Sequence, residues 1–425
     1  MGTSHSNMTQ LELAKRGKTS WQMRFVAERE KIKLRELKER IAKGWVVILA
    51  NKNHQKVKPL GIGDGLKIKV NANIGTSPIK VDLREELRKL KVAIEAETDT
   101  IMDLSCGGKI DKIRRNLIKR CPLPFGTVPI YQAVLEAGGI KNLNLHIYLS
   151  VLEKQAKEGV DFMTVHAGVR KKFLPLLKKR LIPCVSRGGN IILRWMRYHK
   201  RESFLFEGFK KILEVAKKYD VTLSLGDGLR PGCLADATDV SQIEELKTLG
   251  KLHKLALNSG VQTIIEGPGH IPLNEIELNI KLEKKYCQKA PFFVLGPLPI
   301  DIGATKDDIG AAIGGAVAGW KGADFLCYVT RKEHIGLPEI EDVKEGVKVA
   351  RLAVEIAEIA KGNKEAILRN YKMSKARKEV NWKEMFKYAL FPKEFKKLRE
   401  KEVSQKPNLK KAKFCSMCGD FCVFF

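Results

Sequence analysis

The sequence predicts an α/β fold: a (β/α)8 TIM-type barrel with a small helical N-terminal domain and a C-terminal helical region ending in a cysteine cluster tail. Between residues 66 and 330, short β-rich runs that end in polar or glycine residues alternate with helical stretches. About eight such units occur, which is the number that closes a barrel. The rival is a doubly wound open sheet, which usually has a glycine-rich phosphate turn after its first strand, and this chain has none there.

Nine runs compete for the eight strand positions, so either one run is irregular or the ninth lies outside the barrel. The interval between His166 and Ser186 is among the shortest between neighbouring runs. If one run is irregular, it is therefore expected near this interval. The nine candidate strands are 66–75, 100–105, 126–131, 162–167, 182–188, 222–228, 262–268, 292–299 and 325–330. Helical periodicity is clearest at 82–97, 143–158, 203–219, 241–259 and 274–288.

Both flanks of the barrel are predicted to be mainly helical. Residues 8–45 read as two or three basic amphipathic helices, followed by a short apolar strand at 45–50. Further helices are expected after residue 340, at 342–362, 364–376 and 381–401. Residues 1–7 look like an extension or a cloning remnant. The predicted divisions are an N-terminal helical cap (1–62), the barrel (63–340), C-terminal helices (341–401) and a flexible tether with the cysteine segment (402–425).

Bulk composition indicates a reduced, cytoplasmic protein. No apolar run approaches the roughly 20 residues of a membrane span, and no signal-peptide core is found at the N-terminus. Six of the nine cysteines are scattered singly, which excludes a disulfide scaffold. The net charge of +29 is compatible with nucleic-acid binding. Few aromatic residues are interleaved with the basic ones, however, so a lysine-rich solvated surface that attracts anionic substrates is the favoured interpretation.

Polar, charged and glycine residues close successive predicted strands. In a (β/α)8 barrel, reactive groups gather where the strands meet the loops that follow them. A single histidine at a strand end is ordinarily a hydrogen-bonded structural residue, but eight polar ends in register are hard to explain as packing. The residues at these ends are Asn71, Asn73, Met102, Asp103, Tyr131, Gln132, His166, 186–188, 227–230, 266–270 and 332–334.

Three of these strand ends suggest specific chemistry. In residues 186–189, two glycines leave the backbone N–H groups accessible beside one arginine. This arrangement suits a phosphate group, or it is simply a tight turn. Asp227 and Arg230 either clamp a polar heterocycle or pair with each other. His270 follows Glu266 by four residues and, with His334, gives a two-histidine site near carboxylates. Such a site suits Zn²⁺ or Fe²⁺ with open positions, although hydrogen-bonded structural histidines remain the alternative.

Three cysteines lie close together at the end of the chain, at C-x2-C-x3-C spacing: Cys415, Cys418 and Cys422. Three thiolates on a 4Fe–4S cluster leave one iron free, and that iron can bind S-adenosylmethionine for reductive cleavage to a 5′-deoxyadenosyl radical. A structural zinc site needs four ligands, so the competing interpretation is half a zinc site, completed by a histidine or a partner chain. Spacing alone leaves both open.

Ten stretches, occurring in one order, carry a resemblance to a known family. They are VNANIGTS (70–77), MDLS (102–105), GTVPIYQ (126–132), VHAG (165–168), VSRGG (185–189), SLGDGLRPG (224–232), IEGPGH (265–270), LGPL (295–298), KEHIGLP (332–338) and FCSMCG (414–419). Together they resemble the phosphomethylpyrimidine synthase family, radical S-adenosylmethionine enzymes of thiamine biosynthesis. The similarity runs from about residue 8 to the C-terminus and looks like the short form, which lacks the extra N-terminal region of many bacterial members.

The resemblance implies a (β/α)8 barrel and a homodimer in which the cluster tail of one subunit serves the barrel of its neighbour. The implied reaction is a radical lyase conversion of 5-aminoimidazole ribotide to 4-amino-5-hydroxymethyl-2-methylpyrimidine phosphate. The implied cofactors are S-adenosylmethionine and a 4Fe–4S cluster on Cys415, Cys418 and Cys422. His270 and His334 would hold Zn²⁺ (or Fe²⁺), and an electron donor such as flavodoxin or ferredoxin would be needed. The implied substrate contacts, with Glu266 also catalytic, are Asn73, Met102, Tyr131, His166, Ser186, Arg187, Gly188, Asp227, Gly228, Leu229, Arg230 and Glu266.

The chain departs from the family pattern at four places. The family spacing is C-x2-C-x4-C, so one residue is missing here between Cys418 and Cys422. Phe293 stands where the family has a substrate-contacting tyrosine, Arg331 stands where proline is usual, and the segment 301–308 also differs. The alternative functions are 5-hydroxybenzimidazole synthesis from the same ribotide, which gives the lower base of some cobamides, or a non-catalytic paralogue that binds a ribotide or RNA.

Overall fold

The computed structural model describes residues 8–406 together with 417, 418, 421 and 423. Its N-terminal part has three helices, α1 (Gln10–Lys15), α2 (Trp21–Glu30) and α3 (Leu34–Ala42). Thr9 begins α1 with a capping box, in which its hydroxyl accepts the Glu12 N–H while the Glu12 carboxylate accepts the Thr9 N–H. A hairpin of antiparallel strands follows, β1 (Val46–Leu49) and β2 (Leu60–Gly63). The predicted helices and apolar strand are thus present.

Eight parallel strands then close into a barrel, which confirms the predicted fold class. The strands follow chain order around the barrel, and the last one pairs with the first. Their bounds are β3 (Lys69–Ile74), β4 (Thr100–Asp103), β5 (Phe125–Thr127), β6 (Phe162–Val165), β7 (Thr222–Leu225), β8 (Thr263–Gly267), β9 (Phe292–Leu295) and β10 (Phe325–Cys327).

The ninth candidate strand, 182–188, was wrongly predicted. β6 pairs directly with β7, so the barrel leaves no edge for this run to join. Its first residues instead form a loop held by Asp236, whose carboxylate accepts the N–H groups of Leu181 and Ile182 at 2.9 and 2.8 Å. Its last residues begin helix α8, where the Ser186 hydroxyl accepts the Gly189 N–H at 3.1 Å. The β-branched, apolar composition of the run resembles a strand, but long-range hydrogen bonds decide against one.

The helices between the strands pack on the outside of the barrel. The predicted helix 203–219 is two helices, which meet at Gly208. Only glycine fits at this position, because an added Cβ would lie 2.5 Å from Leu145. The bounds are α4 (Leu83–Glu95), α5 (Ile110–Ile118), α6 (Pro129–Glu136), α7 (Leu145–Lys157), α8 (Arg187–His199), α9 (Phe204–Glu207), α10 (Phe209–Tyr219), α11 (Val240–Ser259), α12 (Ile276–Tyr286) and α13 (Asp307–Lys321).

Aromatic rings fill the interior of the barrel. Phe325 stacks on Phe293 with ring centroids 4.0 Å apart and meets the edge of Phe162 at 6.3 Å. All three side chains are buried. Because these rings occupy the barrel centre, space for a ligand remains only towards the carboxyl ends of the strands.

The chain forms two compact units, one up to Val354 and one from Glu355. The last helices are α14 (Ile340–Ala360), α15 (Lys364–Lys378), α16 (Trp382–Tyr388) and α17 (Pro392–Gln405). The predicted helix 381–401 is therefore two helices, and the second begins at a proline that suits the first turn. Within the second unit, Arg369 donates to the carbonyl groups of Tyr388 and Ala389 at 2.9 and 2.6 Å. In the described part of the chain, no helix is long and apolar enough to cross a membrane.

Candidate active site

A cavity of about 90 Å³ opens at the carboxyl ends of the barrel strands. Successive strands and their loops contribute its walls, because parallel strands in a barrel all end at the same rim. The structure brings together around this one cavity nine of the residues singled out from the sequence: Asn73, Met102, Tyr131, His166, Ser186, Asp227, Arg230, Glu266 and Phe293.

Three further predicted residues, Arg187, Gly188 and Gly228, contact or adjoin residues near this cavity. The Arg187 guanidinium lies over the Tyr131 ring, 4.8 Å from its centroid. Gly188 leaves room for the neighbouring imidazole, since a Cβ there would lie 2.1 Å from a ring carbon of His166. A Cβ on Gly228 would lie 2.2 Å from a methyl group of Val169. These glycines are therefore required by close packing at the rim, rather than by a positive φ.

Glu266 is held by two hydroxyl groups that the sequence reasoning missed. Thr164 Oγ1 and Ser224 Oγ each donate to Glu266 Oε1 at 2.7 Å. Thr164 and Ser224 are paired across β6 and β7, so both hydroxyls reach one carboxylate. Burial raises the pKa of Glu266 above its usual range, while these hydrogen bonds oppose the rise. The alternation of inward and outward residues in 222–225 was the signal that could have identified Ser224.

Asp227 and Arg230 form an ion pair at the cavity wall. Arg230 Nη1 lies 3.2 Å from Asp227 Oδ1. Burial raises the pKa of the Asp227 carboxyl, and the Arg230 guanidinium opposes the rise. Asp227 Oδ2 and Arg230 Nε are buried and have no hydrogen-bond partner among the described residues. The two side chains therefore pair, as one of the sequence-based alternatives has it, and each keeps a polar atom that could bind a ligand.

His166 enters the cavity as a neutral imidazole. Burial lowers the pKa of His166 to about 3, and the charge of Arg230 adds to the effect. Its Nε2 lies 3.3 Å from Ser186 Oγ, and its Nδ1 has no partner among the described residues. One ring nitrogen can therefore accept and the other donate a hydrogen bond.

Cys327 is a further cavity residue that the sequence analysis did not select. Asn73 Nδ2 donates to its sulfur at 3.1 Å, and Asn71 Nδ2 lies 3.7 Å away. Burial raises the pKa of the Cys327 thiol to about 12, so the group is a neutral thiol near pH 7. The sequence shows only a cysteine within an apolar run, which is indistinguishable from a core residue.

Comparison with known proteins decides the family. The model of the Radical SAM ThiC family matches residues 9–425. The phosphomethylpyrimidine synthase of Carboxydothermus hydrogenoformans is 52% identical over 98% of this chain and 97% of its own. That of Methanocaldococcus jannaschii is 49% identical over 98% and 97%. The chain belongs to the Radical SAM ThiC family. A solved dihydropteroate synthase from Coxiella burnetii, in complex with pteroic acid, is similar to this chain at a TM-score of 0.43 and 12% identity, over 71% of this chain and 96% of its own.

Membership of the Radical SAM ThiC family confirms the resemblance drawn from the motifs. The chain is an enzyme, so the non-catalytic alternative is set aside. A radical SAM family implies S-adenosylmethionine and an iron–sulfur cluster. Of the three predicted cluster ligands, Cys415 and Cys422 lie outside the described residues. Cys418 is half-buried, and the Phe421 N–H donates to its carbonyl at 3.0 Å.

The two predicted metal-binding histidines of this family member face each other near the rim. Their Nε2 atoms are 3.3 Å apart, which is roughly the separation of two nitrogens that each lie about 2.05 Å from one tetrahedral ion. Asp301 Oδ1 accepts from His270 Nδ1 at 2.8 Å, and Asp307 Oδ1 accepts from His334 Nδ1 at 3.1 Å. Carboxylates that hold the outer nitrogens are typical of metal-ligating histidines. The pair fits a divalent ion with open positions, although in the part of the chain described here no third protein ligand joins it.

Proposed function

We propose that this enzyme converts 5-aminoimidazole ribotide to 4-amino-5-hydroxymethyl-2-methylpyrimidine phosphate through a 5′-deoxyadenosyl radical. The observation that carries the proposal is that Ser186, at the start of helix α8, lines the same cavity as Asp227, Arg230 and Glu266. Helix α8 begins at Arg187, so its N-terminus offers backbone N–H groups and a guanidinium to a phosphate. Two carboxyl groups, Asp227 and Glu266, and the Arg230 guanidinium offer hydrogen-bond acceptors and donors that suit an aminoimidazole ring.

The protein side chains would bind and orient the ribotide. The unpartnered Asp227 Oδ2 and Arg230 Nε would hydrogen-bond the heterocycle, which explains why both are buried without a partner. Burial raises the pKa of Glu266, so its carboxyl holds a proton more readily than an exposed carboxyl does and is a candidate for proton exchange with the ligand. His166, kept neutral by burial, would donate or accept one hydrogen bond without adding charge. These roles require no rearrangement of the strands.

The radical itself would come from the cofactors. S-adenosylmethionine bound to a 4Fe–4S cluster on Cys415, Cys418 and Cys422 supplies the 5′-deoxyadenosyl radical after one-electron reduction. A second cavity of about 340 Å³ adjoins the first at Asn73 and Leu104 and offers room for such a co-substrate. The electron would come from a carrier such as flavodoxin or ferredoxin.

His270 and His334 would hold a divalent ion, Zn²⁺ or Fe²⁺. Burial lowers the pKa of His270, with Asp301 opposing, so the imidazole is neutral and able to bind a metal near pH 7. Two protein ligands leave open positions for a ligand molecule.

We also propose a homodimer in which residues 402–425 of one subunit act as a tether that brings the cluster to the barrel of the other. Ile309, Ile313 and Trp320 lie on one face of α13, and each is about half exposed, which suits a protein interface. Mixing inactive Cys418→Ala and Glu266→Gln subunits tests the exchange. Recovery of activity to about a quarter of wild type or more supports tail exchange, whereas two inactive parents that stay inactive when mixed contradict it.

The deciding experiment is mass spectrometry of the product formed anaerobically from 5-aminoimidazole ribotide, S-adenosylmethionine and a reductant. The pyrimidine phosphate, together with 5′-deoxyadenosine that is lost in Cys418→Ala, supports the proposal. A second candidate product, 5-hydroxybenzimidazole, is retained because of Phe293, whose ring gives the cavity an apolar wall without a hydroxyl group. Detection of the benzimidazole, or of no product with a fully loaded cluster, overturns the pyrimidine assignment.

A further inference from the structure

The loops that follow β6 and β7 are fastened together at one residue, Leu229. Its N–H donates to Glu245 Oε2 at 2.7 Å, and its carbonyl accepts from Arg180 Nη2, also at 2.7 Å. Leu229 lies between Gly228 and Arg230 on the loop after β7. Arg180 belongs to the loop after β6, and Glu245 belongs to helix α11. Both hydrogen-bonding groups of one backbone residue are thus fixed by buried side chains from two other parts of the barrel.

Arg180 is itself held rigidly. Its guanidinium makes a bidentate pair with Asp239, from Nε to Oδ2 at 2.8 Å and from Nη2 to Oδ1 at 2.7 Å. The Arg180 side chain is 1% exposed. A planar guanidinium can make these contacts and reach Leu229 at once, whereas an ammonium group cannot reproduce the fork. The loop after β6, which leads into Ser186, is therefore tied to the loop that carries Asp227.

Glu245 is not a surface carboxylate, because its side chain is buried. It is buried, and its Oε1 has no hydrogen-bond partner among the described residues. Burial raises the pKa of Glu245 well above its usual range, and the nearby Asp227 adds to the rise. Its role in the structure is that of a hydrogen-bond acceptor for the Leu229 N–H. An amide side chain can fill that role.

Leu229 controls the position of the charged pair at the cavity wall. Asp227 and Arg230 stand two residues before and one residue after it, and their side chains pair with each other across this short turn. A shift in the backbone at Leu229 therefore moves both cavity groups together. Neither Arg180 nor Glu245 lines the cavity, so any effect of these residues on a ligand must pass through the loop.

We propose that Arg180 and Glu245 are positioning residues for ribotide binding, which act by fixing Leu229 so that Asp227 and Arg230 point into the cavity. This inference rests on the proposed function, because it takes the ribotide to be the ligand of that cavity. Because Arg180 connects the two loops, the phosphate-binding turn at Ser186 and the heterocycle-binding pair at Asp227 are expected to move together.

The test is a double-mutant cycle read by calorimetric binding of 5-aminoimidazole ribotide to the full chain. Arg180→Lys is expected to weaken binding about tenfold, the size of one lost charge-assisted hydrogen bond. Arg230→Lys should also weaken it. Because Arg180 acts through Leu229 on Asp227 and Arg230 together, the loss in the double variant should be clearly smaller than the product of the two single losses. Fully additive losses, or an unchanged affinity in Arg180→Lys, would overturn the proposal.

Matched variants separate positioning from general stability. Glu245→Gln keeps the acceptor for Leu229 and should bind the ribotide within twofold of wild type, whereas Glu245→Leu should bind about tenfold more weakly. Should Glu245→Leu not fold, Arg180→Lys carries the same test. Arg114 is the control, since it is another buried arginine paired with carboxylates, but on α5 and outside the cavity. Arg114→Lys should lower the melting temperature without weakening ribotide binding, and an equal loss of binding there would contradict positioning.

Failure of the inference can be told apart from failure of the proposed function. If Arg230→Lys binds the ribotide as wild type does, the cavity does not take this ligand and the proposed function fails. If Arg230→Lys weakens binding while Arg180→Lys and Glu245→Leu do not, only the positioning role fails.

Discussion

Substitution of His54 offers a quantitative test of how the floor of the barrel is held together. Its Nδ1 lies 2.7 Å from Asp161 Oδ2, and its Nε2 lies 3.0 Å from the Cys121 carbonyl oxygen. Both partners are acceptors, so both ring nitrogens must donate. The imidazole must therefore be protonated on both nitrogens and carry a positive charge. Burial by itself lowers the pKa of His54, but the hydrogen bond and charge of Asp161, with the Cys121 carbonyl, raise it above the ordinary value.

The size of the effect follows from what His54→Gln leaves behind. The buried Asp161 carboxylate still accepts the N–H groups of Asn51 and Phe125 at 2.8 and 2.7 Å, but it loses its counter-charge. Removing one partner of a buried ion pair costs about 3 kcal/mol. The first compact unit has roughly 350 residues, for which the unfolding entropy is about 0.7 kcal/mol/K. The melting temperature is therefore expected to fall by about 4 °C.

The pH dependence gives the sharper test. The pKa of His54 is raised on folding, so its stabilisation is complete below about pH 6.5 and is lost as pH rises through the folded pKa. The difference in melting temperature between wild type and His54→Gln should thus be largest near pH 6 and shrink at pH 9, as measured by differential scanning calorimetry. His146→Gln, at an exposed position on α7, is the control. A difference that does not change with pH would refute the charged-imidazole argument.

Three further predictions concern the cavity. Asp301→Ala removes the carboxylate behind His270 and should weaken Zn²⁺ binding about 10- to 100-fold in competition with a chromophoric chelator. Glu266→Gln keeps a hydrogen-bond acceptor but loses the proton-exchanging group, so product formation should fall by about 100-fold or more while the melting temperature stays nearly constant. Gly188→Ala places a methyl group against His166, and should weaken ribotide binding at least about tenfold at a stability cost of about 1–3 kcal/mol.

Controls for these variants lie elsewhere in the same unit. Gly310→Ala adds a methyl group on α13, where the nearest atom to the new Cβ is 3.5 Å away, and should leave ribotide binding unchanged. Asp64→Ala removes an exposed carboxylate and should not alter Zn²⁺ affinity. Wild-type Zn²⁺ affinity in Asp301→Ala would remove the histidine-site assignment, and comparable turnover in Glu266→Gln would remove its role in proton exchange.

Much of the candidate site could be predicted because parallel strands bring their ends to one rim. His166, Asp227 and Glu266 each follow an apolar run, and closure of the barrel places all three around one cavity. The residues that support them could not be found in this way. Thr164 lies within a strand, and Glu245 lies in the middle of a helix, so their sequence surroundings look like those of packing residues.

The sequence by itself determined the order of strands and helices, the polar strand ends and the family, since local periodicity and short motifs are properties of neighbouring residues. Only the tertiary structure decided that 182–188 is a loop leading into helix α8, that Ser224 and Thr164 converge on Glu266, and that Leu229 is held from both sides. Each of those outcomes depends on hydrogen bonds between residues tens of positions apart. Strand register and the geometry of buried side chains determine such contacts, and local sequence periodicity predicts neither of them.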